Sequence, residues 1–246
     1  MSRTFVIGDI HGALKALQQL IAKINPSTGD TLVFLGDYVD GWPDSAQVVN
    51  FLIELEQQCK CIFIKGNHDI LCESWLQGKL SKTDWVLRKG KSTIESYGRL
   101  DDSMRQKHLY FFSRLYLFHI DEQNRLYIHA GFKNNEGPQF EFPETNLTVD
   151  RSLWELAMTM DKRVRAQPSL YPKKLLLFNQ IFIGHTPTLI NDVMAPMHAC
   201  NVWNLDTGAG YFGKLSALEV DSLQVVQSDV VTELYPEHTG KDLSTK

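Results

Sequence analysis

No run of apolar residues in this chain approaches the ~20 needed to cross a bilayer. The first apolar stretch is interrupted at Gly8-Asp9, too soon for a signal peptide. Cysteine is scarce: Cys59, Cys61, Cys72 and Cys200 are the only four in 246 residues, and no two form a CxxC pair. That spacing argues against a disulfide framework or a zinc knuckle and predicts reduced, mostly buried thiols. Positive charge is not in excess either. Lys plus Arg number 25 against 29 Asp plus Glu, a net charge of −4, so no nucleic-acid partner is expected. Internal repeats and low-complexity stretches are absent. These absences together predict a cytoplasmic protein without a membrane partner, and they leave the oligomeric state open.

The rest is ordinary globular material, 43% hydrophobic and 22% charged. Apolar segments continue to about position 235, which predicts a single domain over 1–235 and a polar C-terminal tail over 236–246 that frays. Thr4–Ile7, Thr31–Leu35 and Cys61–Ile64 read as strands. Between them, Leu14, Leu17, Leu20, Ile21 and Ile24, and then Val48, Leu52 and Leu55, recur at helical spacing. Asp44 with Gln47, and Ser152 with Glu155, resemble capping boxes; the second opens a helix through Leu153, Ala157, Met160 and Val164. This β-α-β-α-β order implies parallel strands with right-handed crossovers. Residues 70–115 are expected to be helical, their many aromatics serving as core. A hairpin is predicted over Leu117–Ile128, a rim or lid loop over 133–148, and further strands at Leu175–Ile183, Cys200–Leu205 and Leu215–Val220.

The strand ends carry the chemistry. The first three strands run into Gly8-Asp9-Ile10-His11-Gly12, Gly36-Asp37-Tyr38-Val39-Asp40-Gly41 and Gly66-Asn67-His68-Asp69. Later ones run into His129-Ala130-Gly131, Gly184-His185-Thr186 and Asp206-Thr207-Gly208. Open α/β sheets bind ligands beyond the carboxyl ends of their strands, so these side chains converge on one region. Carboxylate oxygen and imidazole nitrogen suit divalent transition ions, and one carboxylate can bridge two of them for displacement at phosphorus. A specified tetrapeptide such as GNHD arises by chance at only ~10⁻⁵ per position, so an ordered series of such motifs is not coincidence. Asp69 reads as the cap of the next helix.

GDIHG, GDYVD, GNHD, HAG and GH, in this order over positions 4–218, resemble the signature of the PPP-type metallophosphoesterases, which include serine/threonine protein phosphatases and diadenosine tetraphosphatases. The run from Trp85 through Gly90-Lys91, Thr93 and Ser96-Tyr97-Gly98 resembles a further segment of bacterial-type members. The resemblance implies a calcineurin-like α/β fold, a central β-sandwich flanked by helices in four layers, α/β/β/α. It also implies two divalent metal ions, manganese foremost, with iron, zinc, cobalt or nickel as alternatives. Asp9 and His11 would bind the first metal, Asp37 would bridge, and Asn67, His129 and His185 would complete the second. His68 would be the general acid, held by Asp40.

One departure bears on substrate binding. The family usually carries an arginine after the His-holding Asp, where it clamps phosphate; here Gly41 and then Trp42 come after Asp40. Arg88, Lys89, Lys91, Arg114 and Arg151 are possible replacement cations, and Trp42 either stacks on a substrate or packs in the core. The expected activity is hydrolysis of phosphate monoesters by in-line attack of a metal-held water, foremost on phosphoserine or phosphothreonine in proteins, with small phosphate esters also possible substrates. The alternative is a dinucleoside polyphosphate or phosphodiester hydrolase. A third reading is a metal-binding regulator with little catalysis.

Overall fold

The computed structural model describes residues 2–87, 89–160 and 170–241. Two five-stranded sheets form its centre. The first joins β1 (Thr4–Ile7), β2 (Thr31–Phe34) and β3 (Lys60–Phe63) in parallel, with β9 (Ser216–Glu219) and β10 (Val225–Gln227) antiparallel on the β1 side. In the second, β5 (Arg125–Ile128), β6 (Gln180–Ile183) and β8 (Val202–Asn204) are parallel, and β4 (Phe118–Ile120) and β7 (Met197–Ala199) close the two edges antiparallel.

The strands are short and nearly all apolar because both faces are covered. Val6, Val33, Ile64, Tyr127, Phe182 and Leu218 pack between the sheets. The outer face of the first sheet is covered by α1 (Leu14–Ile24), α2 (Ser45–Leu55) and the helical middle of the chain. That middle comprises α3 (Asn67–Leu76), α4 (Lys82–Leu87), α5 (Lys91–Tyr97) and α6 (Asp102–Ser113), and Trp85, Tyr97, Phe111 and Phe112 are buried in it. The second sheet is covered by α7 (Ser152–Thr159) and its neighbours, through Leu153, Trp154 and Ala157. The layers are therefore α/β/β/α. No described helix is long and apolar enough to cross a membrane.

Local departures from the sequence reading have identifiable causes. Asp44 does not cap α2 with its side chain, because Tyr235 Oη donates to its carboxylate at 2.6 Å. Ser152 likewise donates to Asp150 at 2.7 Å instead of capping α7. The described part of α7 ends at Thr159; Val164 lies outside the described residues. The expected strand Leu175–Ile183 is split into α8 (Lys173–Leu176) and β6, since Asn201 Nδ2 donates to the carbonyls of Leu175 and Phe178 at 3.0 and 2.8 Å. The 133–148 loop is knitted around buried Glu141, which accepts from the N–H groups of Lys133 and Asn134. After α9 (Val231–Leu234), the polar segment does not fray at once. Residues 236–241 turn back over the domain, and Lys241 N–H donates to Gly210 O at 2.8 Å.

Candidate active site

The parallel strands of both sheets end at one edge, and the turns after them interlock. The N–H groups of Ile10 and His11, after β1, donate to Asp37 O, after β2. Asp69, on the first turn of α3, accepts from the N–H groups of Asp37, Tyr38 and Gly66 at 2.8, 3.0 and 2.8 Å. It thus caps its own helix, as its position predicts, and also fixes the turn after β2. Burial and the Asp37 charge push the Asp69 carboxyl up to about 8, while the three N–H bonds pull it down. His11, Asp37, Asp40 and His185 all have left-handed backbone, with φ between 52° and 67°. A non-glycine residue so placed costs about 1–3 kcal/mol, a strain that gathers at functional sites. Gly66 and Gly184 are required here: a Cβ would collide with the Asp37 carboxylate at the first and the Asp9 carboxylate at the second.

Asp37 stands at the centre. His11 Nε2 lies 3.5 Å from its Oδ2 and His129 Nε2 lies 3.5 Å from its Oδ1. Asp9 Oδ2 is 3.9 Å from His11 Nε2 and accepts from His185 N–H, and Asn67 Oδ1 is 3.3 Å from His129 Nε2. The His129 and His185 rings are 5.2 Å apart. With His68, these side chains make two groups of donor atoms able to hold an ion, His11–Asp37–His68 and Asp37–His129–His185; Asp37 belongs to both, and Asp9 stands beside His11 but belongs to neither. His11 and His129 turn Nδ1 to the carbonyls of Val39 and Leu35, at 3.0 and 2.7 Å, which aims Nε2 inward. Burial holds both imidazoles below their usual range, and the Lys241 ammonium adds to this at His11. Against the cost of its own burial, the surrounding imidazoles and Lys241 hold Asp37 well below the usual carboxylate range. Neutral imidazoles around an ionised carboxylate are the donor set that divalent transition ions take, so the residues fit a metal pair.

His68, a member of the first group, has its Nδ1 2.7 Å from Asp40 Oδ2, with Asp40 fully buried. Asp40 also accepts from Trp85 Nε1 at 3.1 Å and from Thr93 Oγ1. Trp85 and Thr93 belong to the segment singled out in the sequence, but their hold on Asp40 was not legible there; only their recurrence beside the family-like glycines pointed to them.

The substrate-side residues divide. Trp42 is corrected: it is fully buried, stacks on Tyr235 at 5.1 Å and donates Nε1–H to Ala209 O, so it offers no face to a substrate. Arg88 lies outside the described residues. Arg114 is paired with Glu56 at 2.5 Å. Arg151 acts electrostatically on Tyr211, whose hydroxyl burial pushes up and Asp206, Asp9 and Asp37 push further. Lys91 and Lys89 border a cavity of ≈ 540 Å³ beside Gly41. Sequence reasoning missed Lys241, whose Nζ is 2.9 Å from His68 Nε2 and 3.1 Å from His11 Nε2.

Residues 2–214 match the calcineurin-like phosphoesterase family. A bis(5′-nucleosyl)-tetraphosphatase PrpE (asymmetrical) of Anoxybacillus flavithermus is 28% identical, the alignment covering 90% of this chain and 91% of the relative. A solved chain provisionally described as a diadenosine tetraphosphatase superposes with a TM-score of 0.63 at 19% identity, covering 92% of each chain. A serine/threonine phosphatase from Saccharomyces cerevisiae superposes at 0.56 and 17% identity, over 92% of this chain and 79% of that one. At such identities the structural likenesses establish the fold alone. With the family match spanning most of the chain and the strand-end motifs assembled at one edge, this protein belongs to the calcineurin-like phosphoesterases, metal-dependent phosphatases.

Proposed function

We propose that this phosphoesterase hydrolyses dinucleoside polyphosphates, using two divalent cations at the strand ends, manganese foremost and iron, zinc, cobalt or nickel as alternatives. The observation that carries the substrate reading is the row of lysines. Lys89, Lys91 and Lys241 border the ≈ 540 Å³ cavity together with Glu237 and Glu95, the latter 3.8 Å from Lys91. Lys89 and Lys241 also border a ≈ 290 Å³ hollow at Asn67 and His68, where no carboxylate among the described residues lines the wall. A phosphoprotein brings one phosphate to such a site. A polyphosphate bridge brings several charges in line and can engage each ammonium in turn. The name of the relative from Anoxybacillus flavithermus is a second support. The serine/threonine phosphatase reading rests on the fold and the strand-end motifs, which both activities share. The cytoplasmic setting expected from the sequence suits a nucleotide substrate.

In this reading Asp9, His11 and Asp37 hold one cation, and Asp37, Asn67, His129 and His185 the other. When bound, the pair supplies Lewis-acid charge on the phosphate oxygens and an activated water. His68 gives its Nε2 proton to the departing oxygen as the P–O bond opposite the incoming water breaks. Asp40 holds the His68 ring through Nδ1, and Trp85 and Thr93 hold Asp40. Lys89 and Lys91 bind and orient the phosphates that are not cleaved.

Initial rates with Mn²⁺ on diadenosine tetraphosphate, p-nitrophenyl phosphate and a phosphothreonine peptide test this, with products separated by ion exchange. The expected result is a kcat/KM for diadenosine tetraphosphate at least about tenfold above that for the peptide. A faster reaction on the peptide would return the protein-phosphatase reading.

A further inference from the structure

We propose that Lys241, delivered by the C-terminal segment, is the cation that binds the substrate phosphate next to His68. This rests on the phosphoesterase reading of the site and names a residue that none of the strand-end motifs contains. Lys241 Nζ lies 2.9 Å from His68 Nε2, the atom that faces a departing oxygen, and 3.1 Å from His11 Nε2. Lys241 stands between the two cavities and borders both. Its ammonium therefore lies against two members of the His11–Asp37–His68 group, while its side chain borders the space open to a ligand.

The segment is seated by residues that otherwise look unexplained. Tyr235 is buried and stacks on Trp42, its hydroxyl donating to Asp44 while accepting from Lys15 N–H at 3.0 Å. Gly240 lies so close to Tyr211 O and the Trp42 ring that a Cβ there would collide with the first. One residue on, Lys241 N–H is fixed to Gly210 O. Gly41, at φ 129°, takes part in the same arrangement: a side chain there would be strained, and its Cβ would press on His11 O at 3.0 Å. The chain thus has no cation at 41 and a fitted seat at Trp42 for a segment that carries one in.

With divalent cations at His11 and Asp37, like charge repels the ammonium, and the four-carbon stem lets it swing toward the hollow bordered by Asn67, His68 and Lys89 while the backbone anchor holds. There it meets the phosphate oxygens as a charge-assisted donor. A lysine so placed strengthens binding of inorganic phosphate as well as of substrate. Phosphate affinity is thus a readout independent of turnover.

Lys241→Met, Lys241→Arg and Gly240→Val test this in the full chain loaded with Mn²⁺. Inorganic phosphate is titrated by calorimetry, manganese is counted by elemental analysis, and KM and kcat are measured on p-nitrophenyl phosphate. Lys241→Met is expected to weaken phosphate binding and raise KM by about 10- to 100-fold with the manganese content intact. Lys241→Arg should recover most of the loss, and Gly240→Val, which displaces the segment, should behave like Lys241→Met. Unchanged phosphate affinity in Lys241→Met, or a loss of manganese, would overturn the assignment. So would a rise in kcat/KM, which would mark the segment as a strap that blocks the site. If the wild type cleaves no phosphate ester but its phosphate affinity still depends on Lys241, the hydrolytic reading fails and this one stands.

Discussion

At the amino ends of the strands, Asp30 takes the Arg3 guanidinium at 2.6 Å, and Arg125 lies between Asp121 and Asp221 at 2.6 and 2.7 Å. At the carboxyl ends Asp9, Asp37, Asp40 and Asp69 are buried like Asp30, yet their partners are backbone N–H groups, imidazoles, an indole and a threonine hydroxyl. Both ends have a cavity; the one at the amino end, ≈ 320 Å³, is bordered by Asp121 and Arg125. Asp30, Asp121 and Asp221 there each have an arginine, and such matched pairs hold the structure together. The other end gathers negative charge and neutral imidazole lone pairs on one point, an arrangement that a bound cation completes. Cavity size does not separate the two ends; the state of their charges does.

The sharpest way to break this contrast is at its centre. Asp37→Asn, which puts an amide where the proposed centre needs a carboxylate shared by two cations, should remove bound metal and lower turnover by more than about 10²-fold. Near-normal rate with full metal content would mean that Asp37 is a turn residue like those at the other end. His68→Asn should keep the metal and lose about 10²-fold in kcat, most with poor leaving groups, because general-acid help is worth roughly 10²–10⁴. Metal loss in that variant would make His68 a ligand instead.

Asp30→Asn, at the amino end, should leave kcat and KM alone and cost about 1–3 kcal/mol of stability at neutral pH. The hydrogen bond from Arg3, with those from the backbone, holds the Asp30 carboxyl well below its usual range. Its stabilisation is therefore present above the ordinary carboxylate range and is lost as pH falls through the depressed value. Thermal melts of wild type and variant should converge as pH falls. A constant gap in Tm down to acid pH would show that the ion pair contributes nothing.

The strand-end residues were legible because each motif is a short contiguous string at the end of an apolar run, and strand direction carries all of them to one edge. Contacts far apart in sequence were not. Trp85 and Thr93 lie 45 and 53 residues from Asp40, and Lys241 lies 173 from His68. Nothing local marks a lysine in a polar tail as part of a site. The two-way reading of Trp42 resolves toward packing because its partners, Ala209 and Tyr235, come from the loop between β8 and β9 and from the C-terminal segment. Burial alone would also mislead for histidine. His108 is as buried as His129, but it is bonded to Tyr97 Oη and Asn50 Oδ1 inside the helical layer, and burial pushes it down to about 4. Only its place on a helix, away from a strand end, separates it from a ligand.

The most direct test of the shared-carboxylate centre is Mn²⁺ titration of the wild-type chain monitored by electron paramagnetic resonance. Two ions per chain with an exchange-coupled spectrum are expected, because one carboxylate between them brings the ions within ~4 Å. A single ion per chain, or two with the spectrum of isolated Mn²⁺, would contradict a centre built on Asp37.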